Sequence, residues 1–427
     1  MTSRPAPKAN STAMPDAAML PRLLATAADS SLDAHLRLWG PAPAGAMSIR
    51  EVEQSGLRGR GGASFPTAQK LAAVASGGRA VVVANGTEGE PASSKDQTLL
   101  TRAPHLVLDG IGLAAETVGA GEAYLCVDRE ATRVVRALRR AISERAAVGI
   151  DPLPVRIEET PSRYLTGEES SLTHWLNGGP AKPTFVPPRP FEKGVRGRPT
   201  LVNNVETLAN LALIARFGAS WFRGLGTPDD PGSLIVTVAG DVAQPGVYEV
   251  PFGTSIERIL RSTRPAADAH SLLIGGYAGT WVPLPAGAGL SLDRKSLGSA
   301  GAVIGCASLL VLGGRSCGLA ATARIAGWMA GQGAGQCGPC TNGLPAIADA
   351  LDALVAGDRK GHWEKQLRRW LELVEGRGAC HHPDGVARMV RSALRVFSKE
   401  VGHHRHHGDC RAPAPNLSLP EWQGAWR

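Results

Sequence analysis

The chain has 427 residues, 43% hydrophobic and 20% charged, with a formal net charge of +8. That length can build two or three domains with separate cores, and the positive balance suits anionic cofactors or an acidic partner. An aromatic content of 5%, with no basic stripe interleaved with aromatics, argues against nucleic acid. The longest apolar runs, such as Ala302 to Leu312, are too short to cross a bilayer, and no charged segment followed by an apolar stretch opens the chain. Seven cysteines that include Cys337-x-x-Cys340 fit a metal or cluster site in a reducing compartment better than a disulfide framework. The expected location is the cytoplasm, free or peripheral to a membrane complex.

Residues 1–30, rich in Ala, Pro and Ser, read as a disordered lead-in. Ser48 to Ser55 reads as a short helix. It leads into Gly56-Leu57-Arg58-Gly59-Arg60-Gly61-Gly62-Ala63-Ser64-Phe65-Pro66-Thr67-Ala68-Gln69-Lys70. Four closely spaced glycines let backbone approach a ligand, and Arg58, Arg60 and Lys70 bring cations, a combination suited to a phosphate-bearing cofactor. Ser64 stands where a dinucleotide fingerprint has its third glycine, and a helix precedes the stretch, so a Rossmann reading is weak.

Arg79 to Ala84 is a β-branched run expected as a strand buried on both faces, emptying into Asn85-Gly86-Thr87-Glu88-Gly89-Glu90-Pro91. Ligands of open α/β sheets bind past the carboxyl ends of strands, so this turn is placed to line a site. Helix over His105 to Val118, strand over Ala123 to Val127, helix over Ala131 to Ala147 and strand over Leu153 to Ile157 complete an α/β layer. Thr166 and Glu169 have capping-box spacing for a helix to Leu176. After a Pro/Arg-rich irregular segment to Pro199, Asn203-Asn204 opens a helix with its stop at Gly218; one asparagine serves as cap and the second keeps a free amide. Strands at Leu234 to Val238, Val247 to Val250 and Leu272 to Ile274, with a helix from Thr254 to Leu260, read as a small β-grasp unit. Helical spacing near 319–330, 343–356, 360–375 and 385–400 suggests a four-helix bundle with cysteines in its loops. The histidine-rich end from His403 reads as a disordered basic tail.

These motifs together resemble the flavin-bearing, NADH-oxidising subunit of respiratory complex I (the F-type subunit of NADH-quinone oxidoreductase) and the diaphorase subunits of NAD-linked hydrogenases and formate dehydrogenases. The resemblance runs from about Ser48 to about Val401. It rests on Gly56 to Lys70, Asn85 to Pro91 with Lys95-Asp96, Tyr164 to Glu169, Lys182 to Phe185, and Pro199-Thr200 with Asn203 to Leu208. It implies an FMN/NADH-binding α/β domain over 31–230, an SLBB-like β-grasp domain over 231–290, a helical iron–sulfur-type domain over 291–401 and a tail over 402–427. By resemblance, Gly59, Arg60, Gly61 and Lys70 hold the phosphate and ribityl chain of FMN, while Asn85, Glu88, Tyr164, Gly167, Asn203, Asn204 and Thr207 surround the flavin. Phe65 and Phe185 would sandwich the adenine of NADH, with Lys182, Glu90, Glu168 and Glu169 along the nicotinamide side. Hydride then passes from nicotinamide to flavin with no general base, and single electrons pass to an iron–sulfur or ferredoxin-like partner subunit within a hetero-oligomer.

The sequence departs from that family at Thr87, where an aspartate is usual, at Ser64 and Thr166, and above all in its cysteines. The family holds a 4Fe–4S cluster with Cys-x-x-Cys-x-x-Cys and a distant fourth cysteine. Ala334 stands at the first position, leaving Cys337, Cys340 and Cys380. Three readings stay open: a cluster with a substitute ligand drawn from His381, His382 or Cys317, a three-iron or labile cluster, or no cluster. The alternative functions are accordingly a cluster-less NAD(P)H:acceptor diaphorase and an inactive docking subunit.

Overall fold

The computed structural model describes residues 22–25, 29–408, 417–421 and 426. Its first sheet contains β1 (Ala80–Gly86), β2 (Ala120–Asp128), β3 (Val155–Thr160) and β4 (Thr200–Asn204), all parallel, in the order β3-β2-β1-β4. Side chains alternate across β1. Val82 and Ala84 enter the main core with helices Pro104–Val118 and Val205–Arg223, while Val81 and Val83 enter a smaller core with Leu172, Val195 and Val202. Burial on both faces is why the strand reads as an unbroken apolar run. The two helices cross so closely that a Cβ on Gly110 would lie 2.0 Å from the Leu208 carbonyl oxygen.

Several local expectations change. β4 falls within what reads as an irregular segment and a helix start; it is short, and β1 supplies its pairing. The helix after it continues past Gly218, which bends it with φ 84°, to Arg223. The helix to Leu176 is capped by Glu168, whose carboxylate accepts the Ser170 and Ser171 amides, and not by Thr166, whose hydroxyl donates to the Pro161 carbonyl. Within the lead-in, the Arg22, Leu23 and Leu24 amides all donate to one oxygen of buried Glu249, and both leucines are buried; composition gives no sign of so specific an anchor. Residues 1–21 and 26–28 of that segment lie outside the described residues.

The second sheet combines β5 (Ser233–Gly240), β6 (Gly246–Pro251), β7 (Ala269–Ile274), β8 (Thr280–Pro283) and β9 (Ser308–Gly313) in the order β6-β5-β9-β7-β8. Only the β5–β9 pair is parallel. Because β9 is central, this sheet extends beyond the boundary expected at residue 290. Helices Gly318–Gly331, Leu344–Ala356, His362–Val374 and His382–Val396 follow near their expected places. A further helix, Ser398–His407, contains His403, His404, His406 and His407, so this part of the expected tail is ordered. His404 is buried, with Nδ1 2.6 Å from the Val355 carbonyl and Nε2 3.3 Å from Cys317 Sγ. Cys410 lies outside the described residues. Among the described residues, no helix is long and apolar enough to cross a membrane.

Candidate functional site

The sequence-predicted residues of the glycine-rich turn, the acidic turn and the asparagine pair gather at the carboxyl ends of β1 and β4, the site cleft of this fold's parallel sheet. The glycine-rich turn lies against β4: a Cβ on Gly61 would sit 3.4 Å from that of Asn204, and the Arg60 amide donates to Thr207 Oγ1 at 2.9 Å. The Gly59 amide closes the turn on the Phe65 carbonyl. Helix Thr67–Ala75 then starts at Pro66 with no side-chain cap, leaving amides at its positive end. Thr67 Oγ1 is buried there without a hydrogen-bond partner.

The expected pair of asparagines divides its work as read. Asn204 caps the following helix, accepting the Glu206 amide at 2.9 Å, and its amide donates to Asp96 Oδ2 at 2.8 Å. Asn203 is 6% exposed and its Nδ2 has no partner. On the opposite wall Asn85 Nδ2 donates to the Gly167 carbonyl at 2.7 Å, and Asn85 Oδ1 accepts from Thr87. Only glycine fits at 167, since a Cβ would lie 2.9 Å from the Thr87 carbonyl oxygen. Thr87 thus serves as a wall beside Gly167.

Two cations are engaged differently from the sequence reading. Arg60 does not face the cleft. Its buried guanidinium donates to the Pro231 and Ser233 carbonyls and lies over the Phe252 ring, locking the turn onto the second sheet; burial lowers it to about 10 against the pull of Glu206 and Asp230. Lys182 Nζ donates to the Ala334 carbonyl at 2.8 Å, and the Trp426 ring lies 5.1 Å from it. Lys70 Nζ is at the cleft, between Glu169 Oε2 at 2.7 Å and the Val202 carbonyl at 2.8 Å.

Glu90 is pushed up to about 7 by burial, although the Ala92 and Tyr277 amides and the Tyr164 hydroxyl hydrogen-bond to its carboxylate and oppose the rise. Glu88 is raised as well, by burial and by Asp96, while Ser93 and the Gln97 amide counter. Tyr164 rises through burial and the Glu90 charge. Phe65 and Phe185 are both exposed, the latter at 75%.

Sequence reasoning gave no role to the network behind the cleft. Lys95 Nζ meets Asp96 at 2.7 Å and Glu206 at 3.0 Å; burial works against the ammonium, and the two carboxylates outweigh it. Glu206 also accepts the Ile235 amide, joining the first sheet to the second. The adjacent charges Lys95-Asp96 at a helix start were the only sign of this network.

Cys340 and Cys337 pack in the helical core, and both act on Cys380, as does Glu168. The backbone at Gly335 and Ala334 works against the rise of the Cys340 thiol, and that at His382 against the rise of Cys380. Burial raises the Cys340 thiol, and Cys380 to about 11. Among the described residues, no group of three or more His, Cys, Asp or Glu side chains could hold a metal ion. His381 is exposed against Asp384, and Cys317 is committed to Glu400 and His404.

Residues 52–213 match the Nuo51 FMN-binding domain, and residues 320–404 match the NADH-ubiquinone oxidoreductase-F iron-sulfur binding region. The second F-type subunit of NADH-quinone oxidoreductase from Rhizobium meliloti (strain 1021) is 32% identical over 377 residues, spanning 85% of this chain and 89% of that protein. The F-type subunit of the Streptomyces coelicolor NADH-quinone oxidoreductase is 31% identical over 370 residues, 83% of this chain and 82% of that protein. Among solved structures, an NAD+-reducing NiFe hydrogenase in the H2-reduced state superposes with a TM-score of 0.78 at 32% identity, covering 84% of this chain. This chain spans 62% of that hydrogenase chain.

Proposed function

The chain belongs to the family of F-type subunits of NADH-quinone oxidoreductase, and from that premise we propose how its cleft performs the family's chemistry. It is an FMN-dependent NADH oxidoreductase subunit of mixed α/β fold that passes electrons to an iron–sulfur partner. Bound FMN supplies the two-electron acceptor for the hydride that NADH delivers.

The observations that carry the assignment of residues are the unpartnered Asn203 Nδ2 at the carboxyl end of β4 and the buried, unpartnered Thr67 Oγ1 at an uncapped helix start. Buried polar atoms without partners are rare in a finished core, so a polar ligand fits here. Gly59 and Gly61 bring backbone close, and the start of helix Thr67–Ala75 with Lys70 holds the phosphate. Asn203 hydrogen-bonds the isoalloxazine edge, and Asn85 and Asn204 shape its floor. Glu88 and Tyr164 line the wall. Arg60 and Thr207 act as positioning residues, holding the turn against β4. Phe65 and Phe185, too exposed to be core, stack the nucleotide base; Glu90, Glu168 and Glu169 face the nicotinamide side.

The five-stranded sheet with helix Ile256–Thr263 serves as an SLBB-like β-grasp docking unit, and the helices after it form the iron–sulfur-type domain, as a bundle extended by Ser398–His407. Anaerobic addition of NADH to the purified protein tests the function. Bleaching of a bound flavin is the expected result; a colourless protein that FMN cannot reconstitute refutes the reading. Asn203→Ala should lower flavin content more than it lowers the unfolding midpoint.

A further inference from the structure

The match to the family's iron–sulfur region ends at residue 404, and beyond it residues 417–421 and Trp426 pack back onto the protein. Leu417 and Leu419 lie against the helical core. Beside them, the Ser418 carbonyl accepts the Tyr277 hydroxyl at 2.7 Å and the Pro420 carbonyl accepts Trp328 Nε1 at 2.9 Å. Both rings belong to the wall around Glu90. The Tyr277 amide donates to the Glu90 carboxylate at 2.9 Å, and Trp328 stands edge-on to Tyr164 and Tyr277 at 5.7 and 5.8 Å. Residues 417–421 are therefore anchored beside the nicotinamide side of the site.

Trp426 reaches the segment that leads to Phe185. Its carbonyl accepts the Ala181 amide at 2.8 Å, and its half-buried ring lies 5.1 Å from Lys182 Nζ and 5.4 Å from Arg163 Cζ. Lys182 is also held by the Ala334 carbonyl, so a carbonyl and a ring, both neutral, hold this ammonium. A phosphate oxygen binds an ammonium or guanidinium through charge-assisted hydrogen bonds, which are stronger than a cation–π contact at a partly solvated ring. Three residues after Lys182, the Phe185 ring is 75% exposed. The segment thus displays its base-stacking ring while its cation is covered by Trp426.

We propose that Trp426 is an autoinhibitory occupant of the nucleotide site, whose ring competes with the pyrophosphate of NADH for Arg163 and Lys182 while residues 417–421 stay anchored. The proposal rests on the reading that the dinucleotide lies along Lys182 and Phe185, and it deepens that reading by naming the group the nucleotide displaces.

The test uses the full-length protein saturated with FMN, titrated with NAD+ by calorimetry and assayed with NADH. Trp426→Ala should lower both the Kd for NAD+ and the KM for NADH by about three- to tenfold. Lys182→Met placed on Trp426→Ala should cancel that gain, because the cation competed for is gone. Where Trp426→Ala folds poorly, Trp426→Leu keeps bulk without a π face and reads the same competition. A Kd that stays put or rises in the tryptophan variants, with Lys182→Met still weakening binding, overturns the proposal and leaves Lys182 at the nucleotide. Lys182→Met without effect on either background overturns the proposal and also removes Lys182 from the nucleotide site.

Discussion

Glu90 makes the site's stability depend on pH in a direction opposite to that of most carboxylates. Burial holds its midpoint at about 7 against an ordinary 4.5. Below the lower value the folded and unfolded chains both carry the protonated acid. Above the higher one the folded chain must keep a buried carboxylate whose hydrogen bonds from Ala92, Tyr277 and Tyr164 only partly offset its desolvation. Stability is therefore fully present at acid pH and is lost as pH rises through this window, by about 3 kcal/mol. Glu90→Gln never ionises, so the loss disappears. Its amide nitrogen opposes the Ala92 N–H, at a cost of about 1–2 kcal/mol that does not vary with pH. Denaturant unfolding of both proteins, saturated with FMN and followed from about pH 4.5 to about pH 8, should show curves that cross. The variant is the weaker at the acid end and the stronger at the alkaline end. Glu88 titrates in both, and because its charge helps to raise Glu90 the difference between the curves includes their mutual repulsion. Parallel curves across the window would refute the argument.

Asp109 accepts Arg145 at 2.8 Å, Arg216 at 2.5 Å and His35 at 2.8 Å; burial raises its midpoint, but these partners outweigh it and hold the acid at about 2. Asp109→Ala leaves the buried Arg216 guanidinium without a carboxylate and strips one of two from Arg145, which keeps Asp151, and should cost about 3–5 kcal/mol in denaturant unfolding, with a loss under 1 kcal/mol arguing that water relieves Arg216. Ser64 holds φ 50°, so Ser64→Gly should stabilise by about 0.5–1 kcal/mol after the glycine's own entropy is counted; an unchanged midpoint would mean the turn carries no strain. Phe185→Ala should leave the unfolding midpoint and flavin content unchanged while raising KM for NADH up to roughly tenfold; a KM that does not move would remove Phe185 from the nucleotide site.

What could be read from the sequence was what repeats locally. The β1 run, the amphipathic helices and the division of labour between Asn203 and Asn204 follow from patterns a few residues long. What could not be read depends on partners far along the chain. Arg60 sits in a cation-rich turn and so reads as a phosphate ligand, but Pro231, Ser233 and Phe252, about 170 residues on or more, take its guanidinium. Capping-box spacing favoured Thr166, and Glu168 won because its carboxylate reaches two amides at once. The histidine-rich end looks disordered by composition until His404 finds Val355 and Cys317.

The start of helix Glu169–Leu176 links the cleft to the cysteines electrostatically. Glu169 holds the Lys70 ammonium on the cleft side, and the neighbouring Glu168, fixed as the cap, acts on Cys380 and helps to raise it. Thirteen residues beyond Glu169, Lys182 reaches the Ala334 carbonyl beside the same cysteines. A phosphate arriving at Lys70 competes with Glu169 for one ammonium, and the displaced carboxylate stays within reach of Arg189, 4.0 Å away. The short segment from Tyr164 to Phe185 therefore carries charges that act both at Lys70 and near the cysteines. A substitution in it should alter flavin and cysteine chemistry together, whereas substitutions in the glycine-rich turn act on the flavin alone.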